Sequence, residues 1–69
     1  MDIVFTKHAK VQMKERGISE DEVITTVKLP EKTRKIGGIY YCQKRTISGV
    51  IEVVFEKEKY IKVITSYWI

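Results

Sequence analysis

The sequence predicts a small α+β domain in which two N-terminal helices pack on one face of an antiparallel meander sheet of three to four strands. Before Pro30, apolar residues recur at helical spacing and capping residues flank two short segments. After Pro30, apolar and polar residues alternate, and glycine-containing turns divide the chain into strands. A chain of 69 residues can build one two-layer core, so residues 1–69 are assigned to a single domain.

The first helix is predicted over Lys7 to Arg16, after a short strand or extended segment "DIVF". Thr6 offers a hydroxyl that can cap the first turn, and Gly17 can end the helix in the left-handed conformation. On this helix, Ala9 and Met13 are four residues apart and should face the core. A second row at the same spacing borders that apolar stripe; its members are His8, Gln12 and Arg16.

The second helix has a clearer start signal. Ser19 and Glu22 have the spacing of a capping box, and Ile18 with Val23 has the spacing of a hydrophobic staple. Leu29 precedes Pro30 and therefore avoids the helical region, so the helix should end there.

The strands are predicted around two turns, Gly37-Gly38 and Ser48-Gly49. In the strand after the second turn, "VIEVVFE", alternate apolar residues share one face. Strict alternation in the last strand, "YIKVITSYW", puts Tyr67 on the same side as Ile61 and Val63. Tyr67 is therefore expected to face the helices.

The positive charge is confined to the middle of the chain. Formal net charge is +4, yet residues 28–46 alone carry six basic side chains and one acidic side chain. A local basic surface favours a polyanionic partner, most simply RNA or DNA. The competing interpretation is a solvated hairpin whose lysines protect a sheet edge from pairing.

Composition narrows the classes of protein. No apolar run is long enough to span a membrane, and the N-terminus lacks a signal-peptide core, so a cytoplasmic protein is expected. With one histidine and one cysteine, Cys42, the chain offers no Cys/His zinc site, and neither a metal nor a cofactor is expected. The absence of asparagine, with abundant lysine and glutamate, favours a thermophilic source.

Four side chains suit metal-free cleavage of an RNA phosphodiester, which needs a base, an acid and cations at the phosphate. His8 in the first helical turn would be kept neutral by the helix dipole and could act as the base. Arg16 and Arg45 could hold the phosphate, and Tyr67 could donate a proton. Each residue also has a purely structural interpretation. His8 could be a surface histidine without a role, and Arg16 could cap its helix. Arg45 could cover the surface of the sheet, and Tyr67 could lie at the rim of the core.

A second set is predicted to bind nucleic acid without catalysing a reaction. Its basic members come from the positively charged segment, and its aromatic member could stack on a base. Tyr40 and Tyr41 are adjacent on a strand and must face opposite sides, so one should be in the core and the other exposed among cations. The predicted contacts are Lys32, Arg34, Lys35, Tyr40 and Lys44.

The stretches "KHAKVQMKERGISEDEV", "GIYYCQKR" and "VVFEKEKYIKVITSYW" resemble a family of small uncharacterised prokaryotic proteins. Members begin with a His-Ala, Arg/Gln-Met, Arg-Gly-Ile-Ser pattern and end with Ile-Thr-x-Tyr. That family is similar to RelE/ParE-like toxins and other small metal-independent RNases. The resemblance implies a RelE-like two-layer fold with functional residues at His8, Arg16 and Tyr67, and less directly at Arg45. Gln12 stands where the pattern commonly has arginine, which removes one phosphate ligand.

The leading hypothesis is therefore a toxin-like, metal-independent RNA endonuclease of the RelE type, with RNA or the ribosome as target and a cognate antitoxin as partner. One alternative is a non-catalytic RNA- or ribosome-binding module. Another is a small protein-interaction module, such as a homodimer formed through a sheet edge.

Overall fold

The computed structural model describes residues 2–69, which form two helices and a five-stranded sheet. The helices are α1 (Lys7–Arg16) and α2 (Glu20–Lys28). The strands are β1 (Ile3–Phe5), β2 (Lys32–Ile36), β3 (Ile39–Thr46), β4 (Gly49–Lys57) and β5 (Ile61–Trp68). The predicted α+β class is confirmed.

The sheet differs from the predicted meander. Its strand order is β1-β5-β4-β3-β2, and β2 to β5 pair antiparallel in sequence order. The short strand β1 pairs parallel with β5, with Ile3 opposite Ile61 and Phe5 opposite Val63. The prediction was therefore incomplete: β2 to β5 form an antiparallel meander, but the fifth strand and its parallel pairing, which make the sheet mixed, were not predicted. A three-residue segment has no local signal that identifies a partner almost sixty residues away.

Both helices begin as their capping residues predicted. The Thr6 side chain accepts a hydrogen bond of 3.0 Å from the Ala9 N–H, and Gly17 ends α1 with a φ of 65°. Ser19 and Glu22 form a reciprocal capping box at α2. The predicted helix ends are confirmed. They could be predicted from the sequence because each depends on residues within one helical turn.

The core lies between the helices and one face of the sheet. From β4 it takes Ile51, Val53 and Phe55, the three residues predicted to share a face. Helix residues and neighbouring strands complete it: Ala9, Met13, Ile18, Val23, Cys42 and Val63. Each large aliphatic side chain buried here contributes roughly 1.5–3 kcal/mol relative to its exposed state.

A bulge in β5 reverses the expected direction of Tyr67. Val63 pairs with Phe55 while Thr65 pairs with Val54, so Ile64 is an extra residue without a counterpart on β4. Beyond it, Tyr67 lies opposite Glu52 rather than opposite a core residue. The expectation that Tyr67 faces the helices was therefore wrong, because the bulge shifts the alternation by one position.

The two turns separate the strands close to where the sequence placed them. Gly37 and Gly38 have φ angles of 56° and 82°, as a two-residue turn between paired Ile36 and Ile39 requires. The second turn consists of Ile47 and Ser48, and Gly49 already belongs to β4. It thus begins one residue earlier than predicted.

Candidate nucleic-acid interface

The face of the sheet opposite the helices, called the open face below, is formed by alternate residues of β2 to β5. Residues directly opposite one another on neighbouring strands share a face of the sheet. The strand residues that do not point toward the core therefore belong to the open face. By this register the open face includes Lys32, Arg34, Ile36, Ile39, Tyr41, Gln43, Arg45, Val50, Glu52, Val54, Thr65 and Tyr67. At the β5 side of this face, α1 reaches Thr65 through the side chains of Gln12 and Arg16.

Glu52 is the centre of a hydrogen-bonded cluster on the open face. It lies on the central strand and is 4% exposed, which is unusual for a carboxylate. The Tyr67 hydroxyl donates to its Oε2, and Gln43 Nε2 donates to its Oε1 at 2.9 Å. The Arg34 Nη2 lies 3.8 Å from Oε1. These donors replace the water that burial removes and so make the buried charge tolerable.

The cluster fixes the protonation states of its two acidic groups. Burial acts to raise the pKa of Glu52, but the hydrogen bonds from Tyr67 and Gln43 and the charge of Arg34 together hold it below its ordinary value. The hydrogen bond to Glu52, followed by burial, raises the pKa of Tyr67 to about 12. Near neutral pH the cluster therefore contains an ionised carboxylate and a protonated tyrosine.

Arg34 and Tyr41 make the exposed part of this cluster. They lie opposite each other on β2 and β3, and the guanidinium carbon of Arg34 is 4.7 Å from the centre of the Tyr41 ring. The Arg34 side chain is 56% exposed. An accessible guanidinium beside an aromatic ring is a common arrangement for contacting phosphate and stacking on a base.

A groove at one end of the open face adds two more cations. It has a volume of about 230 Å³ and is lined by Glu31, Lys32, Gln43, Arg45 and Val50. The Arg45 N–H donates to the Glu31 carboxylate at 3.0 Å, which ties the segment before β2 to β3. Lys32 lies opposite Gln43, next to the Glu52 cluster.

Three residues of the predicted nucleic-acid set lie on the other side of the sheet. The Tyr40 ring stacks on Phe55, with ring centres 5.1 Å apart, and the Lys35 Nζ is 5.3 Å from the Tyr40 ring centre. The Lys44 Nζ donates to the Leu29 carbonyl at 2.9 Å. The tyrosine on the open face is therefore Tyr41, and the binding roles of Tyr40, Lys35 and Lys44 stay predictions.

Arg16 lies along the part of the β5 edge that β1 does not pair with. Its Nη1 donates to the Ser66 carbonyl at 2.7 Å and lies 3.3 Å from the Thr65 hydroxyl. Its own carbonyl accepts from the Trp68 indole at 2.7 Å. Gln12, in the same row of α1, accepts from Thr65. The row that the sequence singled out thus runs along the strand that carries Tyr67.

The four predicted catalytic residues are not gathered in one cluster. Tyr67 belongs to β5 and Arg16 bonds to residues of β5, whereas His8 is exposed and its side chain forms no hydrogen bond with the other described residues. Arg45 shares the open face with Tyr67, but two strand spacings and two residues along the strand separate their Cα atoms by about 12 Å. Their catalytic roles stay predictions.

Sequence reasoning missed Glu52 and Gln43, and of the pair Tyr40 and Tyr41 it chose Tyr40 as the binding residue. A signal for Glu52 was available, because it interrupts the apolar run "VIEVVFE" in a strand that had to be central. A charged residue at such a position needs partners. The identity of those partners depends on cross-strand register, which the sequence does not display.

Residues 2–69 contain no group of three or more His, Cys, Asp or Glu side chains arranged to hold a metal ion. In the same part of the chain, neither helix has the length and apolar character that crossing a membrane requires.

Fold and site together define a two-layer α+β domain whose open sheet face carries a polar, partly cationic cluster. The chain belongs to the family described as "Domain of unknown function (DUF4258)", whose model matches residues 5–68. No curated protein matches the chain significantly. No solved structure does so either.

Proposed function

We propose that this protein binds single-stranded RNA on the open face of its sheet. The observation that carries the proposal is the pairing of Arg34 with Tyr41 on the face that the helices leave uncovered. Arg34 supplies the cation for a phosphate, Tyr41 the ring for a base, and Lys32 and Arg45 extend the positive surface along the groove. A cytoplasmic location, where RNA is abundant, belongs to the same proposal.

The buried carboxylate at the centre of the face is compatible with an anionic ligand. Glu52 is shielded by its own donors, and Arg34 has more than half of its side-chain surface available on the outside. Glu52 therefore orients Arg34 and Tyr67 from beneath, and the ligand meets the donors rather than the carboxylate.

The test is fluorescence anisotropy of a labelled single-stranded RNA oligonucleotide over a series of salt concentrations. Binding should weaken linearly on a logarithmic salt scale, and Arg34→Ala should flatten that slope by about 0.7, the value for one lost phosphate contact on a single strand. Tyr41→Ala should weaken binding at every salt concentration by about 1–3 kcal/mol without changing the slope.

The matched control is Lys14→Ala, which removes one positive charge from the exposed surface of α1 and leaves the open face intact. If Lys14→Ala and Arg34→Ala weaken binding equally, the ligand senses net charge and the open face is not the interface.

A second candidate is metal-independent cleavage of the bound RNA by a toxin-like mechanism of the RelE type, with a cognate antitoxin as inhibitor and the ribosome as a possible site of action. The observation that favours it is the position of the His8, Gln12 and Arg16 row beside β5, since Gln12 and Arg16 both reach Thr65, two residues before Tyr67. Tyr67 stays protonated to about pH 12 and so remains a hydrogen-bond donor.

Cleavage is tested with purified protein and RNA in the presence of a chelator. Wild-type protein should cleave, and His8→Ala and Tyr67→Phe should each slow the reaction by about 100-fold or more, the typical contribution of a proton-transfer group. Cleavage that is equally fast in His8→Ala indicates a contaminating nuclease and removes the catalytic assignment. RNA binding without cleavage leaves the binding proposal in place.

A further inference from the structure

The two edges of the sheet are closed to very different extents. At one edge, β1 covers residues 61–63 of β5, and α1 reaches the next part through the Arg16 bond to the Ser66 carbonyl. At the other edge, β2 is the last strand of the sheet formed by residues 2–69, and all five of its residues are exposed. The edge of β2 is therefore the accessible one.

The turn fixes which main-chain groups of β2 point outward. In a two-residue hairpin the residues that flank the turn, Ile36 and Ile39, form a hydrogen-bonded pair, and such pairs recur at every second residue. Arg34 and Lys32 accordingly direct their N–H and C=O groups toward β3. Thr33 and Lys35 direct theirs away from the sheet, over a strand length of about 17 Å.

The charge of this edge excludes a second copy of the same strand as a good partner. Lys32, Arg34 and Lys35 are basic, and β2 contains no acidic residue. The two-fold antiparallel pairing that joins Thr33 to Lys35 of another copy places Arg34 directly opposite Arg34. Like charges at that spacing destabilise a strand pair.

Two exposed apolar side chains lie just before β2 and at its end in the chain. Leu29, which precedes β2, is 67% exposed, and Ile36, at its end, is 56% exposed. Apolar anchors flanking a cationic strand favour an extended ligand that carries carboxylates in its middle and apolar residues around them.

We propose that the β2 edge binds an extended acidic segment of a partner protein, which adds to the sheet as a sixth strand. The main-chain groups of Thr33 and Lys35 supply the hydrogen bonds, and carboxylates on one face of the segment pair with Lys32 and Arg34. This site uses the rim of the sheet, so it is separate from the surface proposed to bind RNA, although Arg34 contributes its side chain to both.

The probe is a blocked synthetic peptide of seven residues with alternating glutamate and valine, compared with a peptide in which every glutamate is replaced by glutamine. Binding is followed by NMR on the full-length protein. We expect the acidic peptide to shift and protect the amides of Thr33 and Lys35, and the glutamine peptide to bind about tenfold more weakly.

Two substitutions at one position separate strand addition from simple charge attraction. Thr33→Pro removes an outward N–H and keeps the bonds between β2 and β3, whereas Thr33→Val keeps the N–H and changes the side chain. Thr33→Pro should weaken peptide binding about tenfold or more, and Thr33→Val should leave it nearly unchanged. If Thr33→Pro does not fold, the double variant Lys32→Glu with Lys35→Glu should instead reverse the preference toward a lysine-valine peptide.

Three results overturn the proposal. Equal peptide binding by Thr33→Pro and wild type means attraction to surface charge alone. Absence of binding at millimolar peptide means that the lysines protect the edge from pairing. Concentration-dependent dimerisation lost in Thr33→Pro means that the edge serves a second copy of this chain.

Discussion

The two faces of the sheet are built from the same strands but are stabilised by different kinds of interaction. On the helix side, Ile51 and Val53 are fully buried among aliphatic and small side chains. On the open face, Glu52 lies between them in sequence and is nearly as buried, but its carboxylate is held by hydrogen bonds from Gln43 and Tyr67 and by the charge of Arg34. On the helix side, burial of apolar side chains stabilises the fold directly. On the open face, the cost of burying the Glu52 carboxylate is offset by hydrogen bonds from its neighbours. Those bonds hold the neighbouring side chains in the positions where a ligand can contact them.

The largest expected effect comes from the helix side. Ile51→Ala should destabilise the protein by about 2–5 kcal/mol, because it leaves a cavity in a fully buried position. Urea unfolding followed by circular dichroism measures this loss. The control, Ile47→Ala in the exposed turn between β3 and β4, should stay within about 0.5 kcal/mol of wild type. Similar losses in both variants would mean that Ile51 is not packed in the core as described.

The polar cluster should give the next largest effect. Glu52→Ala should cost about 1–3 kcal/mol, since Tyr67 and Gln43 both lose their acceptor in a partly buried setting. Adding Tyr67→Phe to Glu52→Ala should cost less than the two single losses together, because both remove the same hydrogen bond. Strict additivity in urea unfolding would contradict a shared bond.

The same cluster should make stability depend on pH at both extremes. The pKa of Glu52 is lower in the folded chain than its ordinary 4.5, so its contribution is present above that value and is lost as pH falls through the folded pKa. The pKa of Tyr67 is raised from 10.0 to about 12, so its contribution is present below pH 10 and is lost as pH rises toward 12.

Thermal unfolding of wild type and Glu52→Gln across that pH range measures both losses. Glu52→Gln should flatten the acid side of the profile because its amide does not titrate. An unchanged acid side would show that carboxylates elsewhere in the chain dominate acid unfolding.

The smallest effect on stability is expected for Arg34→Ala. Its side chain is 56% exposed and lies 3.8 Å from Glu52, so the ion pair should contribute less than about 1 kcal/mol. The same substitution should strongly reduce the proposed binding of RNA. A large loss of stability would mean that the main role of Arg34 is to stabilise the folded protein and not to bind a ligand.

What the sequence predicted well depends on residues close together in the chain. Thr6 with Ala9, and Ser19 with Glu22, fix the helix starts within one turn, and Gly37-Gly38 fixes a hairpin through local backbone preference. The parallel pairing of β1 depends on distant partners and was not predictable from its own three residues.

The site was less predictable than the fold for a related reason. His8 and Arg16 were recognised from their spacing on a helix, and that row does border β5. The Glu52 cluster joins β2, β3, β4 and β5, so it exists only through register across four strands. Strict alternation also assigned Tyr67 to the wrong side, since nothing in "KVITSYW" reveals where a bulge absorbs one residue.

Ile64 makes the length of β5 as important as its composition. Ile64 is the residue without a counterpart on β4, so deleting it would remove the bulge and leave Tyr67 opposite Glu52 and Trp68 opposite Ile51. Adding one residue after Thr65, where the pairing is regular, would instead exchange the environments of Tyr67 and Trp68 and place a phenol in the core. Family members without the bulge should therefore be one residue shorter in this strand and keep their aromatic residues on the same faces.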